Sequence, residues 1–245
     1  MSTGAAGFPA VSPTVPRSTT ELSRDGLTSR PWPINLAKVS AGAPRMRSLV
    51  VRRHSLRSAG EVHLSPEGVE QARQVGRTSG SFDRVVTSPK PRARETAEAM
   101  GFTVDAELEL LGSLPDPLGR FLDRESPGSF DEYVRWIARV EEVRDGSEAL
   151  ASAWAEELNR VPEGGRLLMI SHAGLIELGA VGAVPQIAAA WGRTLAPLEG
   201  VRLGREEDRW AHGETLRRGD RAPLVHGGPD PGSDHRRSPS RVDGT

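Results

Sequence analysis

Short apolar runs alternate with amphipathic segments through the middle of this chain. Three runs, at residues 49–51, 82–86 and 166–171, are rich in aliphatic residues and each passes directly into a polar turn, which predicts short buried strands. Residues 201–203 and 209–211 are candidate edge strands. Strands that alternate with helix-length segments indicate an α/β protein with right-handed crossover connections.

Two helix starts are marked by a hydroxyl residue followed by proline. Ser65-Pro66 predicts a helix that ends at Gly80, because serine caps the first amides and proline fits the first helical position. Ser88-Pro89 repeats this signal and predicts a second helix over residues 90–100.

Amphipathic spacing predicts two further helices, at residues 130–143 and 148–161, with Trp136 and Trp154 on their apolar faces as core residues. Another helix is predicted to begin near Leu175. Residues 102–127 show no regular period and are predicted to be irregular.

Each of the three predicted strands is followed by residues that can bind an anion. Parallel strands end at one rim of their sheet, so we expect these residues to lie close together. Arg92 also falls in a first helical turn, where a positive charge opposes the helix dipole by about 0.3–1 kcal/mol unless an anion is shared with the free amides. The residues concerned are Arg53 and His54, Ser88 and Arg92, and Ser171 and His172.

Glycine and proline are concentrated at the two ends of the chain. Residues 1–45 contain 4 Gly and 6 Pro, and residues 219–245 contain 5 Gly and 4 Pro, without an apolar period that would bury a face. Such composition is typical of disordered tails. We therefore predict one folded domain at residues 46–218 between two tails.

Charge and cysteine content restrict the possible functions. The predicted domain carries 23 basic and 27 acidic residues, and a mildly acidic surface makes nucleic acid an improbable ligand. The chain has no cysteine, so thiolate metal sites and a cysteine nucleophile are excluded. It has neither an apolar stretch that would span a bilayer nor a secretory signal, which favours a cytoplasmic protein without membrane contacts. The sequence gives no indication of oligomeric state.

Four blocks in order carry a resemblance to a known family. They read VVRRHS, LSPEGVEQA, VTSPKPRARETAEAM and LLMISHAGLIE, and they span about residues 48–179. The chain resembles the histidine phosphatase (phosphoglycerate mutase-like) superfamily. The resemblance implies a three-layer αβα sandwich with a central, mostly parallel sheet and a helical insertion over the site.

The resemblance also implies roles for particular residues. His54 matches the histidine that becomes phosphorylated, and Arg53, Arg92 and His172 match the residues that hold the phosphoryl group. Arginine suits this task because its planar fork contacts two oxygens and stays charged. With two arginines and a histidine in place, neither a metal nor another cofactor is expected.

The general acid is less clearly marked. In the family it is a carboxylate from the segment after the second helix, and Glu109 is our prediction, with Glu107 and Asp116 as alternatives.

The loop after His54 departs from the family pattern. Ser55 replaces a glycine, which would strain the backbone by about 1–2 kcal/mol if that position needs a positive φ. Arg57 stands where relatives have another residue and is a candidate extra phosphate ligand. His63 has no motif support and is interpreted as a surface residue.

The sequence thus predicts a phosphatase that hydrolyses a small phosphomonoester through phosphohistidine. A weak or inactive relative that binds a phosphorylated ligand is the alternative, and phosphoglycerate mutase activity ranks below both. Residues 102–147 are expected to set specificity, and they carry no signature that identifies the substrate.

Overall fold

A computed structural model describes residues 46–219, apart from residues 115, 117 and 126. The predicted tails, residues 1–45 and all but the first residue of 219–245, lie outside the described residues. The domain limits therefore remain a prediction.

A six-stranded sheet forms the centre of the described part, in the order β3-β2-β4-β1-β5-β6. The three strands predicted from apolar runs lie side by side in its middle and run parallel, as expected for crossover connections. The strands are β1 (Arg47–Arg53), β2 (Arg84–Thr87), β3 (Ala106–Glu107), β4 (Arg166–Ser171), β5 (Gly200–Glu206) and β6 (Arg209–Leu216).

The antiparallel end of the sheet differs in part from the prediction. Of the two candidate edge strands, only β6 lies at an edge. β5 is internal, because it pairs with β1 on one side and forms a hairpin with β6 on the other. Its Val201 and Leu203 are fully buried, as residues of an internal strand should be.

Helices lie on both faces, which gives the predicted αβα arrangement. α1 and α2 pack with Val50, Leu168 and Ile170 on one face, and α5 and α6 pack with Leu49 and Val51 on the other. The helices are α1 (Pro66–Ser79), α2 (Pro91–Ala99), α3 (Leu118–Glu125), α4 (Phe130–Ile137), α5 (Glu141–Asn159), α6 (Leu175–Ala183) and α7 (Pro185–Ala188), with 3-10 turns at Glu109–Leu111 and Ala189–Trp191. Among the described helices, none has the length and hydropathy to cross a bilayer.

The first helix begins as predicted and the second does not. Ser65 caps α1, its hydroxyl accepting a hydrogen bond from the Gly68 amide at 3.0 Å. Ser88 is not the cap of α2, because its amide still bonds Ile170 of the sheet and the helix begins only at Pro91. The Ser88 hydroxyl accepts a hydrogen bond of 3.3 Å from the Lys90 amide, outside the helix, and has room for a further partner.

The predicted helix boundary near residue 146 was wrong, for a packing reason. α4 ends at Ile137, and α5 continues straight through Gly146. A Cβ at Gly146 would lie 2.1 Å from Leu118 Cδ2. The glycine therefore allows α3 to pack closely against α5 and does not end a helix.

Residues 102–127 are more regular than predicted. They contain β3, the 3-10 turn Glu109–Leu111 and the helix α3. Each element is too short for a period to show in the sequence. α3 and α4 form the helical insertion.

Candidate active site

Three parallel strands end level with one another at one rim of the sheet. Arg53 at the end of β1 lies beside Ser171 at the end of β4, and Thr87 at the end of β2 lies beside Ile170. The His54 amide continues the ladder by bonding the Ser171 carbonyl at 3.0 Å. The predicted convergence of the three loops is therefore confirmed.

The ring of His54 is buried and held in one tautomer. Its Nδ1 lies 2.7 Å from the Ser55 carbonyl oxygen, which only accepts hydrogen bonds, so Nδ1 carries the proton. Its Nε2 accepts a hydrogen bond from Nε of Arg92 at 3.1 Å and therefore presents a lone pair. This is the protonation state that a nucleophilic imidazole requires.

The surroundings of His54 keep it uncharged. Burial, opposed by the hydrogen bond to the Ser55 carbonyl and helped by the charges of Arg92, Arg53 and Arg57, lowers its pKa to about 4. The imidazole is therefore neutral at any pH near neutrality.

His172 lies across from His54, with 5.0 Å between the ring centroids. Its Nε2 shares a hydrogen bond of 2.7 Å with the hydroxyl of Ser88, which is the partner that Ser88 takes instead of capping α2. Burial, followed by the influence of His54 and Arg92, lowers the pKa of His172 to about 2. Its buried Nδ1 has no hydrogen-bond partner among the described residues.

The two arginines reach the histidines from different elements. Arg53 is anchored by Nη1, which donates to the Leu195 carbonyl at 2.6 Å, while its buried Nε has no partner in the described part of the chain. Arg92 lies in the first turn of α2. The next turn of this helix is hydrogen-bonded to the loop that carries His54. There Thr96 donates to the Arg92 carbonyl at 2.6 Å and accepts from the Ser55 amide at 2.9 Å.

Arg57 lies further out. It is exposed, and its Nη1 donates to the Glu61 carbonyl at 2.9 Å. Its charge nevertheless contributes to lowering the pKa of both His54 and Arg92. Its role as a phosphate ligand stays a prediction.

The anticipated strain at Ser55 is absent. Ser55 is not among the described residues with positive φ, and it is fully buried. Its hydroxyl points away from the histidines and donates to the Gly68 carbonyl of α1 at 2.7 Å. At this position serine therefore ties the loop to α1, which the glycine of the family pattern could not do.

A cavity of about 560 Å³ borders Arg92 and His172. One wall consists of Leu114, before the insertion, together with Gly119 and Leu122 of α3. Two carboxylates line it, Asp116 and Glu177. Glu109, the predicted acid, is exposed, is not among the lining residues, and stays a prediction.

Sequence reasoning missed the buried carboxylate of Glu177. It accepts hydrogen bonds from the amides of Gly174 at 2.7 Å and Leu195 at 2.8 Å, and the charge of Arg53 acts on it. Burial raises the pKa of Glu177, although these contacts oppose the shift. Glu177 joins the loop of His172 to the segment that anchors Arg53. The one local signal for this role was that Glu177 stands at the third position of α6, from which a glutamate can bond the amide that precedes the helix.

Other residues around the cavity were also missed. Lys90 and Tyr133 both line it. Lys90 directly precedes α2, so its closeness to Arg92 in the sequence was a usable signal. Tyr133 lay in a segment read only as core, and its hydroxyl lies 3.6 Å from where a Cβ of Gly174 would be. Conversely, His63 pairs with Glu95 and is exposed, as interpreted.

A sequence-family model, that of the histidine phosphatase superfamily (branch 1), matches residues 50–215 of the chain. The chain belongs to this superfamily. No curated protein matches it at a significant level.

Several solved structures are similar in fold. A phosphoserine phosphatase from Entamoeba histolytica, a mutant bound to phosphoserine, is 15% identical, with coverage of 69% of this chain and 96% of that one and a TM-score of 0.52. A mycobacterial glucosyl-3-phosphoglycerate phosphatase is 20% identical, with 68% and 97% coverage and a TM-score of 0.45. A phosphoglycerate mutase from Bacillus anthracis is 17% identical, with 69% and 92% coverage and a TM-score of 0.45. The likeness to the phosphoserine phosphatase, whose TM-score exceeds 0.5, is at this identity one of fold alone.

Replacing Ser55 by glycine should destabilise this superfamily member, although glycine is the residue of the family pattern. The change removes a buried hydrogen bond, so we expect the free energy of unfolding to fall by about 1–2 kcal/mol more than for Ser58→Gly. Ser58 is exposed, and its replacement by glycine adds the same backbone freedom to the unfolded chain. Urea unfolding of both variants measures the difference, and equal losses would contradict this account of Ser55.

The two buried histidines should make stability fall as the pH drops from 7 to 5. In that window an unfolded histidine, with a pKa near 6.5, binds a proton that His54 and His172 in the fold do not. Each should remove about 2 kcal/mol between these pH values. Urea unfolding at pH 7 and pH 5 measures the loss of free energy of unfolding between these pH values. In His172→Gln this loss should be about 2 kcal/mol smaller than in the unchanged protein. An equal loss in both proteins would contradict the neutral state of His172.

Proposed function

We propose that this chain is a metal-independent phosphatase that hydrolyses a small phosphomonoester through a covalent intermediate on His54. The observation that carries the proposal is a neutral, buried imidazole whose Nε2 lone pair lies among guanidinium groups. Phosphoryl transfer asks mainly for alignment and for neutralisation of the charge on the transferred oxygens. This arrangement offers both.

In the first step, Nε2 of His54 attacks phosphorus, and the bond from phosphorus to the ester oxygen breaks. Arg92 donates to that same lone pair in the free protein, so its guanidinium has to turn from the ring to the phosphoryl oxygens as the substrate binds. Arg53 and a neutral His172 supply the remaining donors. In the second step, water attacks phosphorus, and the N–P electron pair returns to Nε2.

The departing ester oxygen takes a proton from a carboxylic acid, and the proton released by the attacking water in the second step restores that acid. Glu109 is the sequence-based candidate. Asp116 competes with it because Asp116 lines the cavity, where it pairs with Arg120 at 3.3 Å. Glu177 is a poor donor for this purpose, because both of its oxygens are held by backbone amides.

The cavity suits a small substrate with a second polar or charged group. Its volume of about 560 Å³ falls in the range of small-molecule sites, and Lys90, Arg120 and Asp116 add charges beyond those of the phosphate pocket. Phosphoserine, the ligand named for one of the similar structures, has this character. We infer that the substrate is a phosphomonoester of a small polar alcohol.

A role as a binder of phosphorylated ligands is the second candidate. The exposed position of Glu109 favours it, because without an acid the ester oxygen would leave poorly. The anion pocket formed by Arg53, Arg92 and His172 would serve either function.

The purified protein should hydrolyse p-nitrophenyl phosphate in the presence of EDTA. His54→Ala should lower kcat by roughly a thousandfold or more because it removes the nucleophile. His63→Ala, a histidine change outside the cavity, is the matched control and should keep activity. Activity that survives His54→Ala, or that EDTA abolishes, would refute the mechanism. Binding of phosphate without turnover of any phosphomonoester would support the second candidate.

Two substrates with different leaving groups should identify the acid. p-Nitrophenolate leaves without a proton, whereas the alkoxide of phosphoserine needs one. Glu109→Gln should therefore lower kcat for phosphoserine by about 10²–10⁴ and leave that for p-nitrophenyl phosphate nearly unchanged. If Asp116→Asn shows this pattern and Glu109→Gln does not, Asp116 is the acid. Equal loss on both substrates would exclude either residue as a proton donor.

A further inference from the structure

The two neighbouring arginines of β1 point to opposite faces of the sheet. Side chains alternate along a strand, and Val51 and Val50 accordingly belong to the cores on the two faces. Arg53 lies on the side of the active site. Arg52 lies with Val50 on the side of α1, where its Nη1 donates to the Leu198 carbonyl at 2.7 Å.

Arg52 lines a groove of about 400 Å³ between α1 and the strands β1, β5 and β6. This groove shares no lining residue with the active-site cavity. Its charged side chains are five arginines and one carboxylate: Arg52, Arg166, Arg202, Arg217, Arg218 and Glu214. The groove is therefore strongly basic on a domain that is mildly acidic as a whole.

The carboxylates nearby neutralise only part of this charge. Arg202 pairs with Glu214 at 2.7 Å, and Arg217 pairs with Glu199 at 3.1 Å. Within the described residues, Arg52, Arg166 and Arg218 have no carboxylate in salt-bridge distance. Their side-chain donors go to uncharged acceptors, for example Gln71 in the case of Arg218, although the charge of Asp83 acts on Arg166.

Arg52 has a donor without a partner. Its Nε is buried and makes no hydrogen bond to any described residue. Arg202 lies on β5, the strand paired with β1, and burial followed by its charge lowers the pKa of Arg52 to about 10. Like charges in such proximity and a buried orphan donor are both unfavourable unless an anion joins them.

One wall of the groove is apolar. Val75, Phe82, Leu198 and Leu216 line it, and the guanidinium of Arg166 lies 4.5 Å from the centroid of the Phe82 ring. A ligand that fits has a multiply charged head and an apolar body. A dianionic phosphate matches several unneutralised guanidinium groups better than a single carboxylate does.

We propose that this groove is a second ligand site, separate from the active site, that binds a small organic phosphate with its oxyanion on Arg52, Arg202 and Arg218 and its apolar part against Phe82 and Leu216. The assignment is independent of the catalytic proposal, since the two sites share no residue.

Phenylphosphonate tests the proposal, because it has a dianionic head and an apolar body and cannot be hydrolysed. When phenylphosphonate is titrated into the full chain, two-dimensional amide NMR should show saturable shifts at the groove residues Thr215, Leu216 and Gly219. If the amides of Ala173 and Gly174 in the active site also shift, their dissociation constant should differ from that of the groove. Arg202→Gln should weaken binding at the groove amides by about tenfold or more, because a charged hydrogen bond is lost. Arg218→Gln should weaken it as well, and this exposed change leaves the sheet intact.

The matched control is Arg209→Gln, at the opposite end of β6 from the groove residues, which should leave the groove affinity as it is. Benzyl alcohol, which lacks the charged head, should not shift the groove amides. Shifts confined to the active-site amides, equal shifts with benzyl alcohol, or an affinity unchanged in both Arg202→Gln and Arg218→Gln would each overturn the proposal.

Discussion

The site depends on keeping an imidazole uncharged among guanidinium groups. A protonated His54 would face the repulsion of Arg92 and Arg53 and the loss of hydration at once, so the fold stabilises the neutral ring. The Ser55 carbonyl then decides which nitrogen carries the proton. Burial, charge and a single backbone hydrogen bond together present one lone pair in one direction.

The rest of the domain holds that ring in place. The parallel register of β1, β2 and β4 brings three loops level at one rim, and hydrogen bonds across those loops fix them to one another. Thr96 joins α2 to the loop of His54, and Glu177 joins the loop of His172 to the segment that anchors Arg53. The bonds from Ser55 to Thr96, from Ser88 to His172 and from Leu195 to Glu177 link residues that are 41, 84 and 18 positions apart, so the site depends on tertiary contacts.

Much of this could be predicted from the sequence because the signals are local. An aliphatic run that stops at a polar turn marks a strand end, and the four motif blocks place His54, Arg53, Arg92 and His172 at those ends. The signals failed where a local pattern has two possible causes. Ser88 before a proline looks like a helix cap, yet its amide is still bonded within the sheet. Gly146 looks like a helix end, yet it makes room for Leu118. The roles of Glu177 and Arg52 rest on partners far along the chain, which no window reveals.

The alternation of side chains along β1 has a consequence for how this strand can vary. Arg52 and Arg53 serve opposite faces although a single peptide bond separates them. A slip of β1 by one residue against β4 would exchange their faces, and it would also turn Leu49 and Val51 out of their core. The apolar residues that lock the strand in place thereby also keep one guanidinium beside His54. An insertion or deletion within this strand would damage packing and chemistry together.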